Sequence, residues 1–360
     1  MAVDRPQRFG FRAAVNAISV AAMVNLIALA ASAVGAPGLL SNDTPVSTPS
    51  IFVPTSTPAF AIRDLSYFVL GICAVIFIVV GGVLTYCVIR FRRRPGDEGR
   101  EPPQVYGSNQ IELAWTAVPV LIVVILFLIT ARYIFGIERL QPPSGLQATV
   151  VGHQWWWEIR YPDLGIITAN ELHVPVSNPA DPTPIFLTLQ SADVIHSFWV
   201  PQLAGKMDVI PNKTNRVWID PQTPGLYVGQ CAEYCGLQHA GMLLRVIVHP
   251  KEEFAQWVAA QQAAAIDDPG VRGGRELFQS VACINCHSVR GTLANGIFGP
   301  DLTHLMSRAT LAAGVAKNTP DNLRAWIDNP DTLKPGARMP AMQLSRRDLD
   351  QLVAYLLTLR

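Results

Sequence analysis

The chain has 360 residues, half of them apolar, and its 28 Lys and Arg against 27 Asp and Glu leave a net charge of +1. That length predicts two or three domains, and the near-neutral charge gives no basis for nucleic-acid binding, which needs a strongly positive surface. Four of the six cysteines fall in two close pairs, Cys231/Cys235 and Cys283/Cys286, a spacing that suits metal or haem sites as well as disulfides. Cys73 and Cys87 lie in apolar runs and read as small packed hydrophobes.

Residues 1–35 contain an apolar stretch, 13–34, behind Arg5, Arg8 and Arg12. It is predicted to be a signal peptide, with small residues such as Ala31 and Ala33 near its end, or an extra transmembrane helix. Residues 36–60, rich in Pro, Ser and Thr, read as an exposed linker. Within 61–140 two runs are apolar enough to cross a membrane, about 65–89 and 113–135, with Pro119 inside the second. Each exceeds the ~20 residues that a bilayer requires. The loop between them carries Arg90, Arg92, Arg93, Arg94 and Arg100, which assigns it to the cytoplasmic side. The chain after about residue 136 is then extracytoplasmic.

Residues 141–250 change character: short β-rich runs separated by Pro- and Gly-containing turns predict an antiparallel β-sandwich or barrel. Residues 251–270 form a linker, helical at first and broken at Asp267-Asp268-Pro269-Gly270. Residues 271–360 read as short helices, the last opening with Ser345 as N-cap.

Two motifs carry chemistry. Cys231, Glu233, Cys235, His239 and Met242 fall within twelve residues. Thiolate, imidazole and thioether ligands suit copper, and two thiolates on one short loop can bridge two ions. Each ion then needs an imidazole. His239 is on the loop, and His196, at the end of a β-rich run, is the best candidate for the second. Met242 and the Glu233 carbonyl would be axial ligands. A disulfide with surface histidines is the plainer alternative. The other motif, Cys283-Ile-Asn-Cys286-His287, offers two thiols for thioether bonds to haem vinyls and a histidine for the iron. A redox CxxC pair or a zinc site is the alternative. Met339, Met306 and Met342 compete as second axial ligand.

The set C-A-E-Y-C-G-L-Q-H-A-G-M, G-H-Q-W-W-W-E and D-V-I-H-S-F-W-V-P resembles subunit 2 of the haem–copper oxidases. The stretches G-P-D-L-T and M-P, with the closing helix, resemble class I cytochrome c. Together they look like cytochrome c oxidase subunit 2 with a fused cytochrome c domain, as in caa-type oxidases. The resemblance implies a transmembrane helical hairpin, a cupredoxin-like β-sandwich and an all-α cytochrome domain. It implies a dinuclear copper A centre, covalently bound haem c and a magnesium ion held through Glu233 at the boundary with subunit 1. It makes Trp155 the residue that receives the electron, Met339 the haem ligand, and Glu112 the mouth of a proton pathway; from the residues alone Glu112 reads as an interfacial charge.

The implied partners are oxidase subunit 1, subunit 3, a soluble cytochrome c or other donor, and the lipid bilayer of a bacterial plasma membrane. The implied function is electron delivery to the oxygen-reducing subunit, coupled to proton translocation. No catalytic residue for oxygen reduction is expected on this chain. A membrane-anchored carrier, or a component of a copper-A-containing nitrous or nitric oxide reductase, is the alternative. Finally, residues 141–260 carry a net charge of −4 and residues 271–360 of +4, which predicts docking of the last two domains by opposite charge.

Overall fold

The structure is a computed structural model describing residues 49–96, 99, 101, 104, 106–138 and 145–360. The apolar stretch at 13–34 lies outside the described residues. Helix α1 (Thr57–Arg90) and helix α2 (Asn109–Glu138) form a hairpin. Both are long and apolar enough to cross a membrane. Each extends beyond the predicted run, because flanking polar residues continue the backbone hydrogen bonding after the apolar stretch ends. Pro119 sits within α2.

The end of the predicted linker is not exposed. Ser56 and Ala59 are fully buried against the β-domain. Ser56 does not cap α1 with its own side chain. Asp220 of the β-domain does so instead, accepting from Thr57 N at 2.6 Å and Ser56 Oγ at 2.8 Å. A carboxylate there satisfies an orphan N–H group and complements the helix dipole. At the other helix, Trp218 Nε1 donates to the Ile137 carbonyl at 2.7 Å. Both membrane helices are thus fastened to the β-domain at the hairpin's open end, opposite the arginine-rich loop.

The β-domain holds ten strands: β1 (Gln147–His153), β2 (Trp156–Tyr161), β3 (Ile166–Ala169), β4 (Glu171–Pro175), β5 (Ile185–Ser191), β6 (His196–Trp199), β7 (Met207–Val209), β8 (Asn215–Ile219), β9 (Gly225–Cys231) and β10 (Leu243–His249). They form two five-stranded sheets, ordered β3-β2-β1-β5-β8 and β4-β10-β9-β6-β7. The inward residues, among them Val150, Trp157, Leu187, Phe198 and Val246, make one apolar core between the sheets. The sheets are mixed, not antiparallel as predicted: β1 pairs parallel with β5, and β10 with β4. Strand propensity specifies a pleated surface and not the direction of its neighbour, and both parallel partners are joined through long crossovers.

Helix α3 (Lys251–Gln262) leads to the C-terminal domain. That domain contains α4 (Arg272–Ser280), the single turn α5 (Cys283–Cys286), α6 (Pro320–Asp328) and α7 (Arg346–Leu356). Helices α4 and α7 cross closely at Gly274, where a Cβ would lie 2.0 Å from the Gln351 carbonyl oxygen. The domain is not wholly α: β11 (Thr310–Leu311) pairs with β12 (Ala316–Lys317). Two residues per strand are too few for an alternating pattern to be read from sequence.

Candidate metal centre and haem cavity

Strand pairing explains how the remote histidine reaches the cysteine loop. Strands β6 and β9 pair in register Phe198↔Cys231, and period-two geometry puts His196 on the same face as Phe198. The loop from Cys231 to Met242 then folds back between β9 and β10. The result is a tight donor set. Cys231 Sγ lies 3.8 Å from Cys235 Sγ, 3.9 Å from His196 Nδ1 and 3.1 Å from the Glu233 carbonyl oxygen. Cys235 Sγ lies 3.7 Å from His239 Nδ1 and 3.8 Å from Met242 Sδ. His196, Cys231 and Cys235 are buried with their donor atoms within 4.8 Å of one another. Two thiols, two imidazoles, a thioether and a carbonyl are the mixture that soft or borderline ions prefer, copper among them.

Hydrogen bonding with Cys235 holds the Cys231 thiol well below its usual range, and the same pairing, with burial, pushes Cys235 up. A lowered thiol pKa favours the thiolate, which is the form that binds a metal ion.

Three neighbours shape the centre without having been singled out in the sequence. Asp193 binds His196 Nε2 at 2.9 Å and accepts from Gln154 N at 2.7 Å. Gly152 leaves room for the imidazole, since a Cβ there would sit 2.7 Å from His196 Cδ2. Gln154 Nε2 donates to the Cys235 carbonyl at 2.7 Å. The D-x-x-H spacing was the only signal for Asp193, and Gly152 carried none. Trp155 Nε1 donates to that same Cys235 carbonyl at 3.0 Å, so the indole is bonded directly to the cysteine loop. Glu233 is half-buried on the loop, and Tyr234 and Leu237 beside it are exposed.

A cavity of about 810 Å³ lies at the boundary of the C-terminal domain with the β-domain, lined by Cys283, Cys286 and His287, by apolar residues such as Phe278, Leu305, Leu323 and Leu352, and by both Met339 and Met342. That volume lies in the range of small-molecule and cofactor pockets, ~300–1,000 Å³. Met306 does not line it. His287 Nδ1 donates to the Pro300 carbonyl at 2.8 Å, which leaves Nε2 as the lone-pair nitrogen, and burial lowers the ring's pKa so that it stays neutral. A neutral imidazole fixed by a carbonyl is the form that ligates iron. Two thiols, this histidine, thioethers and apolar walls fit a haem.

The cavity also touches the β-domain, at Gln154, Trp155 and Trp156. Docking there uses hydrogen bonds more than the predicted opposite charges. The buried Glu171 accepts from Ala309 N and Thr310 N, both at 3.0 Å, and Gln238 Nε2 donates to the Pro335 carbonyl at 2.6 Å. No ion pair joins the two domains among the described residues. Glu112 lies far from all of this, in the first turn of α2. The 26 residues to Glu138 span roughly 39 Å at the α-helical rise.

The family of the cytochrome C oxidase subunit II periplasmic domain matches residues 146–249, its transmembrane domain matches 46–132, and the cytochrome c family matches 271–360. Cytochrome c oxidase subunit 2 of Alkalihalophilus pseudofirmus is 35% identical over 298 residues, covering 80% of this chain and 84% of the relative. The subunit of the same name from Bacillus subtilis is 30% identical over 332 residues, covering 85% and 91%. The crystal structure of the periplasmic domain of subunit II of cytochrome oxidase from Bradyrhizobium japonicum is 32% identical, covering 34% of this chain and 97% of that one, with a TM-score of 0.32. The chain belongs to the cytochrome c oxidase subunit II family and carries a cytochrome c domain at its C-terminal end.

Proposed function

We propose that this chain accepts electrons from a soluble cytochrome c or other donor at a covalently bound haem c and passes them through a dinuclear copper A centre to oxidase subunit 1, where oxygen is reduced and protons are pumped. The observation that carries the reading is the shared wall of the two sites: Trp155 lines the haem cavity and donates to the carbonyl of Cys235. The two groups supply one-electron redox chemistry, and the protein's part is to hold, orient and tune them.

His196, Cys231, Cys235, His239, Met242 and the Glu233 carbonyl would hold the copper ions. Cys283 and Cys286 would form the thioethers, and His287 and Met339 would hold the haem iron. Met339 packs against the domain core as well as lining the cavity, and this favours it over Met342. The Glu233 carboxylate, a hard donor suited to magnesium, would hold that ion at the boundary with subunit 1, beside which subunit 3 completes the assembly. Glu112, at the hairpin's arginine-rich end, opens a proton pathway on the cytoplasmic side. Both metal domains face the extracytoplasmic side of a bacterial plasma membrane.

An absorption and EPR spectrum of the purified chain tests this. A haem c band together with a mixed-valence dinuclear copper signal is expected, and Cys235→Ser should lose the copper signal while keeping the haem. A chain that never co-purifies with an oxygen-reducing partner would instead support a free membrane-anchored carrier.

A further inference from the structure

The Lys334 ammonium is buried, 4% exposed, at the junction of the two extramembrane domains. Its Nζ donates to the carbonyls of Trp155 at 2.7 Å, Gly241 at 2.8 Å and Ala312 at 3.1 Å. The first two acceptors belong to the β-domain and the third to the cytochrome domain. An ammonium has three donors, so each proton is committed. No carboxylate pairs with it among the described residues. Burial pushes the amine down to about 7, with Cys235 opposing, and only the charged form donates to all three carbonyls. An unpaired buried charge is tolerated only where such polar groups replace water completely. Undocking would break two of the three bonds.

The acceptors are informative. Gly241 lies between His239 and Met242 on the cysteine loop, and Trp155 bonds to Cys235. Four residues after Lys334, the guanidinium of Arg338 lies 5.8 Å from the centre of the Trp155 ring and donates to Gln154 Oε1. The next residue, Met339, lines the haem cavity. One short strap therefore grips the copper loop at one end and enters the haem cavity at the other.

We propose that Lys334 is a positioning residue that latches the cytochrome domain onto the copper loop, fixing the haem cavity against Trp155. This rests on the electron route proposed above. Without the latch, the tethered domain must re-dock by diffusion before each transfer, so the step becomes conformationally gated.

The test uses the assembled oxidase. In Lys334→Met, haem-c-to-copper transfer after flash photolysis should fall at least tenfold and become viscosity-dependent, while wild-type transfer is not. Copper EPR and haem absorption should match the wild type, which a merely unfolded variant would not show. A second measurement needs no variant. The other four lysines, Lys206, Lys213, Lys251 and Lys317, are all exposed. Amine labelling of the native complex should modify these four and spare Lys334. Labelling of Lys334 at their rate, or wild-type transfer without viscosity dependence in Lys334→Met, overturns the latch. Missing copper or haem signals in the wild type would instead overturn the electron route.

Discussion

The Asp193 carboxylate binds His196 Nε2 at 2.9 Å, which turns Nδ1 of the same ring toward Cys231 Sγ, 3.9 Å away. One hydrogen bond thus settles both the tautomer and the direction of the imidazole. Proton sharing with the ring and bonds from two backbone N–H groups outweigh the burial that would raise the Asp193 pKa, and hold it below the usual carboxylate range.

Replacing Asp193 by Asn removes the charge that supports this ring. Outer partners of metal-bound histidines are worth about 10–100-fold in metal affinity. Asp193→Asn should weaken copper retention by that factor in a chelator competition, with the haem c absorption untouched. Copper held as tightly as in the wild type would remove Asp193 from the site.

A second titratable cluster lies away from the metals. His173 Nδ1 meets His249 Nε2 at 2.8 Å, and the His173 ring stacks on Trp257 of α3 at 4.3 Å. Burial, then repulsion from His249, Arg308 and Arg245, holds the His173 pKa well below the ordinary histidine range. Burial lowers His249 as well, with Glu253 opposing. In the unfolded chain these rings titrate near ~6.5. Below that pH the unfolded state binds protons that the folded state refuses, so stability is complete above ~6.5 and is lost as pH falls toward the folded values. The Tm of the extramembrane domains should drop between pH 7.5 and 5, and His173→Asn should flatten that drop. An unchanged slope in the variant would sink the idea.

How much of this was legible in the sequence differs by kind of signal. The transmembrane runs, the cysteine loop and the CxxCH motif are local, so residue type and spacing expose them directly. His196 is remote in sequence, and its place beside Cys231 depends on the β6–β9 register. It could be chosen only as the histidine ending a β-rich run, and the resemblance then supported that choice. Asp193 acts through hydrogen bonds accepted from the His196 ring and a backbone N–H group, Gly152 through close approach, and Lys334 through hydrogen bonds to backbone carbonyls. Backbone partners have no residue type, so apart from the D-x-x-H spacing nothing in the sequence marks these three. The parallel strand pairs were missed for a related reason, since alternation reports a face and not a direction.

The choice between Met339 and Met342 is open to a direct measurement. Both line the cavity, but only Met339 also packs on the core. A thioether opposite histidine raises the potential of an electron-carrying haem. Met339→Leu should therefore lose the thioether-ligation band of the ferric haem and lower its midpoint potential, whereas Met342→Leu should keep both. The reverse pattern would transfer the role to Met342.

Salt dependence separates two accounts of how the haem domain meets the copper domain. The opposite net charges of the two segments suggest an electrostatic dock that salt would loosen. The structure places the contact on groups that solvent barely reaches: Glu171 is 2% exposed, Lys334 4% and Arg308 7%. Each is bonded across the boundary to backbone or hydroxyl groups, Arg308 Nε to Thr168 Oγ1 at 3.3 Å among them. Mobile ions screen exposed charges over a length of about 10 Å at ~0.1 M and act far less on buried ones. The linker also keeps the partners at an effective concentration on the order of millimolar, whatever the salt. Between ~0.05 and ~0.5 M salt, haem-c-to-copper transfer in the intact chain should therefore change by less than about twofold. Reduction by an external donor should slow as salt rises, because that encounter depends on exposed charge. A steep fall of the internal rate with salt would mean that surface charge holds the domains together and that the buried contacts contribute little.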